Sequence, residues 1–278
     1  MSIRAACVPY SERVDCYGVT LELRASSPAF LRHLRGCLPP PCARTEARPS
    51  RVYAARQQQP VCACGRRHKG LAAADGRAEF RGQDATGLFV HMRMRLWHYV
   101  VSHSPRYLFV HAGVVAFGGK AVVIPGDSMS GKTTLVSALL RAGGTYYSDE
   151  FAVIDARGLI HPFRQPLGMR RPGSRDQTDV PASRLTRRLG RTPVRAALLV
   201  STRFVEGERW TPTPLSRGEA VMALVGNSAG VRRTPARGLA VLTKATEHVV
   251  GLQGPRGDAD DTAAQIVAYL RQLHPRPR

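Results

Sequence analysis

The chain has 278 residues, of which 43% are apolar, and it carries a formal net charge of +21 at pH 7. This length and composition fit a globular protein with one large domain or two modest ones, and no apolar run is long enough to cross a membrane. The charge comes almost entirely from arginine. It favours acidic partners such as nucleotides, phosphates, acidic peptides or nucleic acid, unless it only reflects a lineage that prefers arginine.

The cysteines and the start of the chain bear on its location. The first 19 residues contain no apolar signal core, which predicts a cytoplasmic protein. Six cysteines lie in the first quarter of the sequence, at Cys7, Cys16, Cys37, Cys42, Cys62 and Cys64. In a cytosolic chain of this size we expect free thiols rather than a disulfide framework. Cys62, Cys64 and His68 could ligate a metal, but they lack a fourth ligand and the usual zinc spacing.

The first elements in chain order are a strand and a helix. Residues 17–23 alternate well enough for a strand, and Ser27 followed by Pro28 is typical of an N-cap and a first helical residue. The three prolines at 39–41 end that helix.

A hairpin and a second helix are predicted next. Asp75-Gly76 indicates a turn between two short strands, and Asp84 could cap a longer helix that ends before Pro105. Residues 1–104 are therefore predicted to form a small α+β domain.

The next part of the chain is rich in strands. Residues 106–117 and 121–125 are β-rich, and a hairpin turn is predicted at 155–158. Residues 172–194 are polar and rich in Pro, Arg and Gly, so they are predicted to form a mobile loop. Residues 196–202 read as a further strand.

The last elements complete the second domain, predicted to span residues 105–278. A capping box at Ser216 and Glu219 opens a helix, a strand is predicted near 239–243, and a final helix begins near Asp261. The hairpins favour a mixed sheet rather than a purely parallel one.

One stretch satisfies the P-loop pattern. Gly126 is followed after four residues by Gly131, Lys132 and Thr133, between an apolar strand and a helical segment. Glycines let backbone N–H groups converge on phosphate oxygens, and the helix N-terminus adds positive potential. The predicted nucleotide-binding residues are Gly126, Asp127, Ser128, Met129, Ser130, Gly131, Lys132, Thr133 and Thr134.

An acidic pair follows the P-loop. Asp149 lies sixteen positions after Thr133 and is followed by Glu150, at the end of a strand-like segment. One carboxylate could hold Mg²⁺ and the other could accept a proton from an attacking hydroxyl, unless the pair merely solvates a strand end. His111 lies in an apolar strand, where a histidine is more often a satisfied core residue.

Taken together, the segment HAGVVAFGGKAVVIPGDSMSGKTTL and the later YYSDE resemble the catalytic domain of HPr kinase/phosphorylase, and more closely the smaller HPr-kinase-related proteins. In that family a histidine lies fifteen residues before the P-loop, and an acidic pair follows the P-loop hydroxyl by sixteen and seventeen. His111, Asp149 and Glu150 match without a gap. The match covers about residues 106–170. It implies an α/β P-loop kinase domain of the HPr kinase/PEP carboxykinase-like type, with a mixed sheet, behind an N-terminal portion like that of the related proteins.

The resemblance implies an ATP- and Mg²⁺-dependent kinase that phosphorylates a serine hydroxyl of a peptide or protein. Some related proteins phosphorylate a serine at the tail of a lasso peptide, a natural-product precursor. The resemblance implies that Lys132 and the loop backbone hold the phosphates, and that Thr133 and Asp149 hold the magnesium. Glu150 would be the base.

Two further residues take their expected roles from the same resemblance. His111 would lie near the γ-phosphate, and Arg170, at the end of a Pro-rich segment, would neutralise charge on the transferred group. HPr kinases form hexamers, so a homo-oligomer is a further expectation.

The sequence departs from true HPr kinases in two ways. They carry Asp at the position of Glu150, and their glycine-rich signature after the acidic pair is not evident here. The departures argue against phosphorolysis and against HPr as the substrate, and they favour a peptide or small-molecule acceptor.

Other functions stay open at this point. The alternatives are a small-molecule kinase, acting on free serine or a natural-product hydroxyl, and a non-catalytic, nucleotide-gated binding protein. ATP, GTP and pyrophosphate are not distinguished as donors. The arginine-rich residues 184–191 read as a solvated face rather than a nucleic-acid site, because no aromatic platform accompanies them.

Overall fold

The computed structural model of the chain describes residues 7–39, 41–56, 70–75, 77–82, 85–127, 130–170, 177–228 and 230–273. It divides into two compact units, Met1–Arg106 and Tyr107–Arg278. Sequence analysis placed the corresponding boundary between residues 104 and 105. Within the described ranges, no helix combines the length and the apolar character that crossing a bilayer would require.

The described residues of the first unit form one six-stranded sheet and two helices. Its elements are β1 (Tyr10–Cys16), β2 (Val19–Ala25), α1 (Pro28–Gly36), β3 (Cys42–Arg44), β4 (Arg51–Arg56), β5 (Gly70–Ala74), β6 (Arg77–Gly82) and α2 (Ala85–His103). The strand order is β3-β1-β2-β4-β5-β6, and only the β2–β4 pair is parallel. The helices meet through their aromatic rings, with the centroids of Phe30 and Phe89 5.0 Å apart.

Both predicted helices of this unit are confirmed, but Asp84, the expected cap of the second, lies outside the described residues. The Ser27 hydroxyl accepts a hydrogen bond from the Phe30 amide and so caps α1, whose first residue is Pro28. The β5–β6 hairpin is confirmed as well. The predicted strand at 17–23 is wrong at its start, because Tyr17 and Gly18 have positive φ and form the turn of the β1–β2 hairpin. β1 was missed because four of its seven residues are polar or charged and only two of the seven are buried.

The expectation of free thiols is wrong for Cys16 and Cys42, which form a disulfide. Cys16 ends β1, Cys42 begins β3, and the two residues are register partners across these antiparallel strands. Cys37 keeps its thiol, and burial raises the pKa of that thiol to about 11. The cysteine argument for a reducing compartment is weakened accordingly, and cytoplasmic location stays a prediction.

The second unit is built around an eight-stranded mixed sheet, as predicted. Its elements are β7 (Tyr107–Phe117), β8 (Lys120–Pro125), α3 (Lys132–Arg141), β9 (Thr145–Ser148), β10 (Phe151–Asp155), β11 (Ile160–His161), β12 (Leu167–Arg170), β13 (Gln177–Val180), β14 (Arg195–Ser201), β15 (Thr213–Leu215), α4 (Arg217–Gly226), α5 (Pro235–Ala245), β16 (Val250–Gln253) and α6 (Ala259–Leu273). The order is β11-β10-β7-β8-β14-β16-β15, with β9 also on β7. β14 runs parallel to both β8 and β16.

Helices cover both faces of this sheet. Alternate residues of β8 point to opposite sides, so that Val122 and Ile124 pack with α3 and α6 while Ala121 and Val123 pack with α4 and α5. α3 lies very close to the sheet, because a Cβ on Gly113 of β7 would come within 2.4 Å of the Val136 side chain. This close packing fixes the start of α3 against β7 and β8.

Two predictions for the second unit are wrong. The strand expected near 239–243 is part of helix α5, which begins at Pro235 and buries Val241 and Leu242 on one face. The loop expected over 172–194 is wrong for β13, which pairs with β12, and for a short 3-10 helix at Ala182–Arg184, whereas residues 172–176 lie outside the described residues. The hairpin at 155–158, the capping box that opens α4 and the final helix are confirmed.

Candidate functional site

The glycine-rich loop, residues 126–131, connects the end of β8 to the start of α3. β8, β14 and β16 are mutually parallel, so their carboxyl ends lie at one edge of the sheet. Ligands of open α/β sheets bind outside this edge. The predicted strand, loop and helix are therefore confirmed as elements, and the loop lies where a ligand would bind.

Two glycines shape the loop. Gly131 has φ +84°, and a Cβ there would come within 2.6 Å of an Arg256 guanidinium nitrogen. A Cβ on Gly126 would lie 2.8 Å from the Ser130 hydroxyl. Gly131 is also the N-cap of α3 and offers no side chain to the first amide groups of the helix. Glycine is therefore required by backbone conformation at Gly131, whereas a side chain at Gly126 would displace the Ser130 hydroxyl, and the helix N-terminus stays available to an anion.

Lys132 is the first residue of α3, and only 8% of it is exposed. Its ammonium group donates to the Gly126 carbonyl at 2.8 Å, so the side chain folds back over the loop. Burial lowers the pKa of Lys132, while the nearby carboxylates of Asp149, Glu150 and Asp127 oppose that shift. The buried ammonium group therefore lies among three acidic side chains next to the glycine-rich loop.

Asp149 and Glu150 lie between β9 and β10, two strands that both pair with β7. Ser148 at the end of β9 pairs with Val114, and Phe151 at the start of β10 pairs with His111, all against β7. Asp149 and Glu150 occupy the interruption, where the Glu150 carbonyl still accepts from the Ala112 amide. The break turns the acidic pair toward α3, and the Thr133 hydroxyl donates to Asp149 Oδ2 at 2.9 Å.

The environment of the Asp149 carboxyl suits a cation. Only 6% of Asp149 is exposed, and burial raises the pKa of its carboxyl to about 7, against the opposing effects of the Thr133 hydrogen bond and the Lys132 charge. Its second oxygen, Oδ1, is buried without a hydrogen bond of ordinary geometry to any described residue, although the backbone amide of Gly168 lies near the carboxyl and lowers its pKa. A divalent cation would satisfy that oxygen and stabilise the ionised carboxyl.

The ligand set resembles what Mg²⁺ uses with a phosphorylated substrate. No group of three or more His, Cys, Asp or Glu side chains with metal-binding geometry occurs in the part of the chain that the structure describes. Mg²⁺ is commonly held by one or two carboxylates together with substrate phosphates and waters rather than by a full protein cage. The Thr133 hydroxyl and the Asp149 carboxyl fit that mode of binding.

His111 lies between the lysine and the second carboxylate. Its Nε2 is 3.4 Å from Lys132 Nζ and 3.7 Å from Glu150 Oε1. Burial and the Lys132 charge lower the pKa of His111 to about 4, so the imidazole is neutral at pH 7. An ammonium group only donates, so Nε2 faces Lys132 with its lone pair. The contact with Glu150 is therefore not a charged pair, and 47% of the Glu150 side chain is exposed.

The other predicted site residues are either exposed or wholly or partly outside what the structure describes. Asp127 is exposed, and Thr134 is exposed on the first turn of α3. Arg170 ends β12, where its backbone pairs with Gln177, but the placement of its side chain is outside what the structure describes. The same holds for Ser128 and Met129 of the loop and for the Cys62, Cys64 and His68 group.

Sequence analysis missed two residues that contact the loop. Arg256 follows β16, is 1% exposed, and donates from Nη2 to the Gly131 carbonyl at 2.7 Å. Phe204 follows β14, and its backbone amide donates to the Ser130 carbonyl at 3.1 Å. The sequence signal for Arg256 would have been a strand at 250–253 followed by Gly-Pro-Arg, but that strand was expected at 239–243 instead.

Comparisons with known proteins give a distant structural relationship. No protein-family model matches the chain, and no curated protein matches it. Among solved structures it is similar to the HPr(Ser) kinase/phosphatase from Coxiella burnetii, with 16% sequence identity and a TM-score of 0.34. The match covers 59% of this chain and 95% of that one. The relationship is too distant to assign a role to any residue of the site.

Proposed function

We propose that this chain is an ATP- and Mg²⁺-dependent kinase that transfers the γ-phosphate to a serine hydroxyl of a peptide or protein. One observation carries the proposal. Thr133 and the acidic pair come together beside the glycine-rich loop, where Asp149 accepts from Thr133 and keeps its other oxygen buried without an ordinary hydrogen bond to the described residues. The resemblance of the loop and acidic pair to HPr-kinase-related proteins supports the choice of acceptor.

Each side chain would have a distinct part in the transfer. The loop amides and Lys132 would hold the phosphates, with Lys132 exchanging the Gly126 carbonyl for phosphate oxygens. Thr133 and Asp149 would hold Mg²⁺, which neutralises charge on the phosphates when bound. These groups bind and orient the donor.

The chemical step requires a proton acceptor. The serine oxygen attacks the γ-phosphorus, its proton passes to the Glu150 carboxylate, and the bond from the γ-phosphorus to the bridging oxygen breaks, so that ADP leaves. Glu150 suits this role because its side chain is half exposed and can meet an incoming hydroxyl. Neutral His111, whose Nε2 accepts from Lys132 and therefore cannot donate to Glu150, would lie near the γ-phosphate without forming a charged pair with the base. Arg170 is proposed to neutralise charge on the transferred phosphate.

The site holds more than a binding protein requires. Asp149 and Thr133 would hold a cation together with the phosphates and without Glu150, and the Glu150 carboxylate is 3.7 Å from a neutral histidine rather than in a charged pair with it. A nucleotide-gated binding protein has no use for a base in this position. The arrangement therefore favours an enzyme over that alternative.

Transfer of label from γ-labelled ATP tests the proposal. Wild type and Lys132→Ala are incubated with Mg²⁺ and a panel of serine-ended peptides and free serine, with Lys244→Ala, an exposed lysine on α5, as the matched control. We expect label on a peptide with wild type and Lys244→Ala but not with Lys132→Ala. Label on free serine alone would indicate the small-molecule kinase. Binding of ATP without labelling of any acceptor would support the non-catalytic alternative.

A further inference from the structure

The ring of Phe204 is exposed although its backbone is fixed to the glycine-rich loop. The residue is 54% exposed, and its amide donates to the Ser130 carbonyl at 3.1 Å. The next residue is also held, because the Val205 amide donates to the Arg256 carbonyl at 2.8 Å. Apolar side chains that are exposed singly are common, so the feature that distinguishes Phe204 is that its backbone is held beside the glycine-rich loop, which leaves the ring available to a ligand bound there.

The buried side chain of Arg256 contacts the ring of Phe204. Its guanidinium lies over the Phe204 ring, 5.7 Å from the centroid, and donates to the carbonyls of Gly131 and Gly257 at 2.7 and 2.8 Å. Its Nε is buried without a hydrogen bond to the described residues. The side chain thus joins the ring to the loop, and the cation–π contact helps to hold the ring in place.

The sheet order separates Phe204 from the proposed transfer groups. His111 and the acidic pair belong to β7 and to the break between β9 and β10, on one side of β8. Phe204 and Arg256 follow β14 and β16, on the other side. If the γ-phosphate faces the acidic pair, a donor that extends along the loop away from that pair passes toward Phe204.

We propose that the exposed face of Phe204 is the stacking surface for the nucleobase of the phosphate donor. The inference rests on the proposed function and deepens it, because it makes the donor a nucleoside triphosphate rather than an inorganic polyphosphate. Stacking uses the π-face that every base has, so the ring itself selects for a base and not for adenine over guanine. Phe204 is then a binding residue for the donor, positioned by Arg256.

Calorimetric titration with ATP and with inorganic tripolyphosphate, both with Mg²⁺, separates the base from the phosphates. We expect Phe204→Ala to weaken ATP binding about tenfold or more, within the usual range for a lost base–aromatic stack, and to leave tripolyphosphate binding unchanged. Phe204→Trp should retain ATP affinity, and its emission should be quenched by ATP but not by tripolyphosphate. Met222→Ala, which removes an exposed apolar side chain of α4, is the control and should bind both ligands as wild type does.

The outcomes distinguish this inference from the proposed function. Unchanged ATP affinity in Phe204→Ala would overturn the stacking role while leaving the kinase proposal intact. Equal weakening of both ligands would also overturn it, because the ring would then act only by shaping the loop. If wild type binds neither ligand, the proposed function fails and the stacking role fails with it.

Discussion

Replacing Asp149 by Asn should make the second unit more stable, by an amount that grows with pH. The wild-type carboxyl is almost completely buried, and its pKa is raised from 3.8 to about 7, mainly by burial. The folded state therefore holds this proton more tightly than the unfolded chain does. The contribution of Asp149 to stability is complete below about pH 4 and is lost as the pH rises to about 7. Asn keeps the shape and can still accept from Thr133 but does not titrate.

The size of the effect follows from the shift. Each pH unit between the unfolded and folded pKa values corresponds to about 1.4 kcal/mol. Between pH 5 and pH 8 the wild type loses about two such units, or about 3 kcal/mol, because its folded pKa is about 7. The difference in unfolding free energy between Asp149→Asn and wild type should grow by that amount. For a unit of this size the difference in Tm should grow by roughly 5–10 °C.

Scanning calorimetry with EDTA at pH 5 and pH 8 measures this difference directly. Asp260→Asn, at an exposed carboxylate of α6, is the matched control and should show no such growth. Adding Mg²⁺ and ATP at pH 8 should raise the Tm of wild type more than that of Asp149→Asn, since an ionised carboxylate binds the cation more strongly than a neutral amide oxygen does. A Tm difference between Asp149→Asn and wild type that is equal at both pH values would refute the reasoning.

Three further predictions concern the base, the loop and the first unit. Glu150→Gln should lower kcat about a hundredfold or more and retain ATP affinity, because only the proton acceptor is lost. Steady-state kinetics measure the first effect and calorimetric titration the second, and a loss of ATP affinity would assign Glu150 to the metal instead. Gly131→Ala places a Cβ on a residue with φ +84°, so it should lower the unfolding free energy by roughly 1–3 kcal/mol and weaken ATP binding. A calorimetric ATP titration equal to that of wild type would contradict this prediction. The double variant Cys16→Ser, Cys42→Ser removes a disulfide between residues 26 positions apart and should lower the unfolding free energy of the first unit by about 3 kcal/mol. Its Tm should fall while ATP binding stays unchanged, and a Tm equal to that of wild type would contradict the disulfide.

The parts of the site that sequence could predict are local. The spacing of Gly126, Gly131 and Lys132 indicates the strand, the loop and the helix, because the turn chemistry lies within a few residues. Asp149 follows a strand-like segment, so its position at the sheet edge was also predictable. In the structure the Thr133 hydroxyl donates to the Asp149 carboxyl.

The parts that sequence missed depend on pairing between distant segments. Arg256 reaches the loop because β16 pairs with β14, and the short segment at 250–253 gives little sign of a strand. The apolar run at 239–243 resembled a strand more closely. It is helical because Pro235 occupies the first turn, and because Gly238, Val241 and Leu242 are buried at helical spacing.

The disulfide illustrates the same limit. Cys16 and Cys42 come together through the register of β1 with β3, and β1 itself was not predicted. Only two of the seven residues of β1 are buried, so its hydrophobic pattern is weak. Pairing that rests on backbone hydrogen bonds rather than on apolar alternation leaves little trace in a single sequence.

A crystal structure of the wild-type chain with Mg²⁺ and a non-hydrolysable ATP analogue would test the central claim most directly. We predict a metal ion about 2.1 Å from oxygens of Thr133 and Asp149, with the γ-phosphate between Lys132 and Glu150 and the base against Phe204. A nucleotide bound elsewhere, or bound in the loop with its γ-phosphate directed away from the acidic pair, would contradict the account.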